Sequence, residues 1–231
     1  MMQNCPKEGT TNGDMVDSRR MYILPQKNHL LSLMTILRDS NTTSTRFAEV
    51  AEKVGDQLIS AALDLLPFEA STVVSPTGSS YHGVREACLL CGVSILRAGA
   101  SLENALRRGY TGPYNFGKIL IQRDEKTSLP TLFYSKLPPD LASRKVILLE
   151  PMLATGGSAC AAIDLIKNHG VPEENIIFVN ILAARNGVEK LFESFPSINL
   201  VTAAVDEELT PSSHINPGLG DFGDRFYGTE E

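Results

Sequence analysis

Apolar residues recur at helical spacing over 26–38 and again over 45–66, where Phe47, Val50, Ala51, Val54, Leu58, Ala62 and Leu65 fall on one stripe. The spacing predicts two amphipathic helices whose stripes are packing surfaces. Pro67, which cannot donate a backbone hydrogen bond, stops the second. After a turn-rich break at 75–80 the period changes. Short strand patterns at 93–96, 119–122, 131–136, 146–149, 176–182 and 200–205 alternate with helical patterns at 102–108, 159–169 and 188–195. The runs at 119–122 and 131–136 read as a hairpin. Most of the others are continuously aliphatic, as strands covered on both faces must be, so the chain reads as α/β with a mostly parallel sheet flanked by helices.

Residues 1–20 mix Asn, Thr, Gly, Asp, Lys and Arg with few large apolar side chains, which predicts a flexible tail ahead of a single domain over 21–231. In 231 residues, 42% hydrophobic side chains suffice for one extended core. The net charge of −6 lacks the basic bias of a nucleic-acid binder. With no apolar stretch of about 18 residues and no signal-like N-terminus, the expectation is a cytoplasmic protein without a membrane partner. Cys5, Cys88, Cys91 and Cys160 are scattered, as suits a reducing compartment. Cys88 and Cys91 have CxxC spacing, but no second CxxC or HxxxH accompanies them, so they read as buried free thiols rather than half a zinc site.

Candidate chemistry concentrates at 146–158. Four aliphatic residues end at Glu150, and Pro151, Met152, Leu153, Ala154, Thr155, Gly156, Gly157 and Ser158 lead into the helical pattern at 159. A helix N-terminus offers unpaired N–H donors and partial positive charge, and small residues with hydroxyls let an anion approach it; this is a phosphate cradle. It lacks the Lys of GxxxxGK[ST], and its glycines do not fit GxGxxG. A carboxylate placed just before it would repel a bare phosphate but suits sugar hydroxyls or a Mg²⁺ bridging them, so the ligand described is a phosphorylated sugar. Ligands of open parallel sheets bind beyond the C-terminal strand ends, which adds Arg97 after 94–96 and Arg123 and Asp124 after 119–122. The plainer alternatives are an ordinary βα turn and arginines in surface ion pairs.

Glu150-Pro151-Met152-Leu153-Ala154-Thr155-Gly156-Gly157-Ser158 resembles the phosphoribosyl-pyrophosphate (PRPP) loop of the uracil phosphoribosyltransferases. In order along the chain, Gly92-Val93-Ser94-Ile95-Leu96-Arg97-Ala98-Gly99 is similar to that family's strand and arginine turn, and 117–127 to its arginine-bearing hairpin. Ile215-Asn216-Pro217-Gly218-Leu219-Gly220-Asp221-Phe222-Gly223-Asp224-Arg225, followed by Tyr227-Gly228-Thr229, is similar to its uracil-binding segment. The resemblance spans about 26–229, and its Phe222 is that of the eukaryotic-like branch.

The resemblance implies a type I phosphoribosyltransferase fold with a β-hairpin arm and a C-terminal base-binding hood. It implies transfer of the 5-phosphoribosyl group from PRPP to N1 of uracil, giving UMP and pyrophosphate, with Mg²⁺ arriving on the pyrophosphate and no resident metal cage. PRPP would be held by Arg97, Arg123, Asp221 and the loop from Glu150 to Ser158; uracil would lie against Ile215, Gly220, Asp221 and Phe222. Arg97, Arg123 and Asp221 carry the catalytic expectation: the two arginines because cations aimed at the departing pyrophosphate lower the barrier, and Asp221 because it would meet the metal or the ribose. Some members respond to GTP and assemble as homodimers or homotetramers, with the helices before Pro67 as a candidate interface. Glu150 stands where the family usually has Asp, His214 where it usually has Tyr, and Asn216 where it has an apolar residue. The rival readings are a transferase for another base and a nucleotide-binding regulator with this fold.

Overall fold

The computed structural model describes residues 20–123 and 130–229; the expected tail, save Arg20, and Asp124 lie outside that range. In chain order the elements are β1 (Met21–Ile23), α1 (Asn28–Arg38), α2 (Ser44–Leu63), β2 (Phe68–Val74), β3 (Ser80–Glu86), β4 (Leu90–Leu96), α3 (Glu103–Gly109), β5 (Tyr114–Arg123) and β6 (Pro130–Lys136). They continue with β7 (Lys145–Leu149), β8 (Met152–Leu153), α4 (Gly157–Asn168), β9 (Ile176–Ala184), α5 (Arg185–Ser194), β10 (Asn199–Asp206), β11 (Glu208–Leu209), β12 (Ile215–Asn216) and α6 (Phe222–Tyr227).

The main sheet has the order β1-β10-β9-β7-β4-β5-β6, with β8 continuing the edge of β7 along β9. Every pair is parallel except β5 with β6, the expected hairpin. Alternate residues of a strand face opposite sides, and both sides are covered. Ile147 and Leu149 of β7 pack with Leu30, Phe47, Leu58 and Leu106 from α1, α2 and α3, while Val146 and Leu148 pack with Ile163, Ile166 and Leu191 from α4 and α5. The continuous aliphatic runs therefore do signal a doubly covered parallel sheet.

The stripe of α2 is core: Phe47, Val50, Ala51, Val54, Leu58 and Ala62 are buried. Leu65 departs from the expectation, because α2 ends at Leu63, ahead of Pro67, and Leu65 falls 43% exposed beyond the helix. The stripe of α1 is buried in the same way at Leu30, Leu33, Met34 and Leu37. The apolar stripes of both helices thus face the core and are not available as an interface.

The pair β2 and β3 was not legible from the pattern. The break at 75–80 is the tip of an antiparallel ribbon that, among the described residues, pairs with no other strand and exposes Val73, Val74, Tyr81 and Val84. With neither face on a core, its strands carry no alternation to read.

Candidate active site

The strand ends bring the motif residues together. Glu150 follows the last residue of β7, Arg97 follows the last residue of β4, and the two strands are parallel neighbours with Ser94 opposite Leu149. Both residues therefore leave adjacent strands at the same rim.

The loop after β7 is tied down rather than free. Glu150 N–H donates to Val179 C=O at 3.2 Å, and Pro151 C=O accepts from both Ile181 at 2.8 Å and Leu182 at 3.0 Å. These bonds carry the chain past Glu150 without a change of register on β9, so that β8 resumes pairing at Met152 and Leu153. Gly156 then caps α4 with φ 78°, in the left-handed region. The helix begins at Gly157, two residues before the sequence pattern, so the N–H groups of Gly157 and Ser158 belong to its donor-rich first turn. Glu150 and the residues from Met152 to Ala159 line a hollow of about 190 Å³.

The loop can lie so low because of a residue the sequence reading missed. Gly187, in the first turn of α5, faces the Leu153 and Ala154 carbonyls so closely that a Cβ there would sit 2.8 and 2.5 Å from the two oxygens. Nothing local marks it; the requirement comes from a loop more than thirty residues away.

Glu150 is partly buried, and its surroundings push its carboxyl up to about 8. Burial is the leading cause, a hydrogen bond from the Met152 N–H opposes it, and the nearby Asp221 carboxylate raises it further. Glu150 and Asp221 thus sense one another across the site. Among the described residues no three carboxylate, His or Cys side chains converge as a metal cage. Two oxygen donors suit a hard cation such as Mg²⁺ that takes its other ligands from water and a diphosphate.

Asp221 caps α6, its Oδ1 accepting from the Asp224 N–H at 2.9 Å. The cap places the Asp221 carboxylate at the start of α6, where Glu150 feels its charge. The base-binding segment contains a short helix, for which Asp221 as an N-cap residue is the signal in the sequence.

Arg97 meets that helix. Its Nη2 donates to Asp224 Oδ1 at 2.8 Å, its Nη1 to Thr229 Oγ1 at 3.3 Å, and its carbonyl accepts from the Tyr227 hydroxyl at 3.1 Å. The Thr229 hydroxyl and the Arg97 guanidinium hold the Asp224 carboxyl below its usual range. The Arg97 side chain is still 57% exposed, so an incoming anion can reach it. The backbone of β5 brings Arg123 to the far end of the hairpin, but its side chain lies outside the described part.

Ile215 and Phe222 turn their side chains into the core, where Phe222 packs edge-on against Phe47 at 5.2 Å. What they and Gly220 can show a base is backbone. His214 stays in its own turn, with Nδ1 at 3.0 Å from Ser212 Oγ. Asn216 lies on the short β12, its amide 3.4 Å from Glu208 Oε2. Away from the rim, Cys91 is buried with its thiol pushed up to about 11, an inert group, and Cys88 contacts Tyr110. A larger hollow of about 590 Å³ beside β1 and β10 contains none of the motif residues, so chemistry rather than volume singles out the loop.

The family model for uracil phosphoribosyltransferase matches residues 24–229. The chain is 45% identical over 209 residues to uracil phosphoribosyltransferase 2 of Schizosaccharomyces pombe, covering 90% of this chain and 95% of that one. It is 44% identical to the Dictyostelium discoideum uracil phosphoribosyltransferase, covering 91% and 97% of the two chains. A solved protein of Aquifex aeolicus superposes with a TM-score of 0.81 at 28% identity, covering 91% of this chain and 99% of that one.

Proposed function

The chain belongs to the uracil phosphoribosyltransferase family, and from that premise we propose that it joins N1 of uracil to C1 of the ribose of PRPP, releasing pyrophosphate and giving UMP. The observation that carries this reading is the loop from Glu150 to Ser158, pinned to β9 and ending in the first turn of α4, with Arg97 emerging from the neighbouring strand.

The parts divide the work. N–H groups of the loop and of the first turn of α4, with the Thr155 and Ser158 hydroxyls, hold the 5-phosphate. Glu150, as a carboxylate, accepts hydrogen bonds from the ribose hydroxyls. As the C1–oxygen bond breaks, negative charge grows on the pyrophosphate, and Arg97 can turn from Asp224 to meet it, with Arg123 as its partner from the hairpin. Asp221 and Glu150 would be the protein-side oxygen donors to a Mg²⁺ carried by PRPP, which would supply further charge neutralisation. Backbone groups of Ile215, Gly220 and Phe222 read the N3–H and flanking carbonyls of uracil. Cytosine would leave those groups unpaired, a mismatch worth about 10⁴-fold in a site built to hydrogen-bond. The uracil N1 proton passes to solvent, and no described side chain needs to serve as its base.

A protonated Glu150 cannot serve the ribose as a pure acceptor. Binding of PRPP should therefore tighten as pH rises toward about 8, and Glu150→Gln should lose that dependence along with affinity. A titration of PRPP affinity against pH checks this; equal slopes for both proteins would remove Glu150 from the ribose contact.

We also place the working protein as a homo-oligomer in the cytoplasm. The exposed Val73, Val74, Tyr81 and Val84 of the β2–β3 ribbon, which has no core of its own, are the surface a second copy would cover, in place of α1 and α2. The free Cys88, Cys91 and Cys160 suit a reducing compartment. The test of function is pyrophosphate release with PRPP and Mg²⁺ in the presence of uracil, cytosine, hypoxanthine or orotate, with and without GTP as effector. Release with uracil and not the others is expected; release with another base, or none, refutes the assignment.

A further inference from the structure

We propose that Arg38 and Asp206 form a clamp that fixes the base-binding turn and thereby sets selectivity for uracil, a positioning role that rests on the uracil transfer proposed above. The turn between β12 and α6 has Gly218 at φ 64°, with a Cβ position only 2.0 Å from the Ile215 carbonyl oxygen. It is closed on itself, so a shift at Gly218 moves Ile215 and the run to Phe222 with it.

Both backbone groups of Gly218 are engaged by one ion pair. Its N–H donates to Asp206 Oδ2 at 2.9 Å, and its carbonyl accepts from Arg38 Nη1 at 2.9 Å. Arg38 also grips both carboxylate oxygens, Nη1 to Oδ2 at 2.7 Å and Nη2 to Oδ1 at 2.8 Å. A strand residue ordinarily finds its two partners on a neighbouring strand. Here two side chains take that place, one from the last residue of α1 and one from the last residue of β10.

The geometry is rigid for identifiable reasons. The pair is bidentate, so the planar guanidinium fixes the carboxylate in angle as well as distance. Asp206 is 8% exposed and Arg38 26%, so water competes little for the contacts. Arg38 ends its helix, where the backbone dipole favours a cation. Backbone reading of a base depends on such fixity: uracil and cytosine differ by donor and acceptor at N3 and C4, and a turn free to move by a few tenths of an ångström can rotate its groups to suit either. Arg38 and Asp206 touch neither substrate in this account; they act through Gly218.

The test uses the full chain carrying Arg38→Lys or Asp206→Asn, with KM and kcat measured for uracil, cytosine and PRPP. Lysine keeps the charge opposite Asp206, and with it the fold, but replaces the fork by a point donor. We expect KM for uracil to rise about tenfold and the preference for uracil over cytosine to fall about tenfold, with KM for PRPP within about twofold of the parent. A merely structural loss lowers the folded fraction and hence turnover alike with every substrate, leaving KM and the base preference unmoved. Unchanged uracil KM and base preference in folded Arg38→Lys, with an active parent, would overturn the clamp and leave the proposed function standing. A parent protein that never transfers to uracil would overturn both.

Discussion

The phosphate side of the site is held by backbone, and the base side by arginine side chains. At the loop after β7, the contacts that matter run from peptide to peptide: Pro151 C=O to Ile181 and Leu182, and the Leu153 and Ala154 carbonyls against the Cα of Gly187. At the hood, side chains do the holding. Arg225, 7% exposed, donates to the carbonyls of Leu37 at 2.5 Å, Leu219 at 2.6 Å and Asp39 at 2.7 Å, and lies over the Phe47 ring at 4.4 Å. Arg38 and Asp206 add the second anchor. A phosphate presents the same tetrahedron in every substrate, and peptide N–H groups at a helix end suffice for it. A flat base must be read along one edge, and a turn that reads it has to be braced from behind.

This contrast predicts different sensitivities. The largest effect should come from Gly187→Ala, which leaves charge untouched but forces the loop to move, since backbone oxygens occupy the new Cβ position. Turnover per bound PRPP should fall about 100-fold, as displacement of a positioned reactant by about an ångström does, with uracil KM nearly unchanged. Steady-state kinetics at saturating uracil would show it, and an undiminished rate would mean the loop is not backbone-limited.

Arg225→Met should follow, because it leaves three carbonyls without their donor while keeping much of the apolar stem. A loss of about 3 kcal/mol in urea unfolding is expected, with uracil affinity falling more than PRPP affinity. Equal losses for both substrates would blur the division between the two sides.

Glu150 gives a smaller effect with a definite sign. Unfolded, its carboxyl titrates near 4.5; folded, near 8. Between those values the folded protein holds the extra proton, so its contribution to stability is complete below pH 4.5 and is lost as pH rises to about 8. Because the loop is partly open to water, the loss should be about 2 kcal/mol rather than the full value of the shift. Glu150→Gln should show a flatter stability curve across that window, and parallel curves would contradict the assignment.

The smallest effect on stability should come from Asp224→Asn. The Arg97–Asp224 pair is largely solvated, so the melting temperature should not move. Affinity for pyrophosphate should tighten severalfold as Arg97 is released from its partner. Unchanged pyrophosphate binding by calorimetry would assign Arg97 to the α6 contact alone.

The same contrast explains what could be read without a structure. The phosphate half is local: strand, acid, small residues and helix follow one another over 146–169, and the pattern misplaced only the helix start, because glycines at 156 and 157 look like loop while Gly156 is in fact the cap. The strands between β4 and β10 were legible for a related reason, since burial on both faces leaves unbroken aliphatic runs. The base half is not local. Arg38 and Asp206 are 168 residues apart, and Arg225 reaches back 188 residues to Leu37, so no window of sequence holds the pair. Family resemblance found Ile215 and the 220–222 run but not the residues that hold them in place. Gly187 falls between these cases, a local glycine with a distant reason. The β2–β3 ribbon escaped because exposure on both faces erases the pattern that marks a strand.

The central claim is that a phosphorylated ribose bridges these two differently built halves, and a crystal structure with UMP bound tests it most directly. The account predicts the phosphate within hydrogen-bond distance of N–H groups between Ala154 and Ser158, the ribose hydroxyls on Glu150, and the uracil edge against the backbone between Ile215 and Phe222. A nucleotide seated instead in the hollow beside β1 and β10, or with its base turned away from the 218–222 backbone, would contradict it.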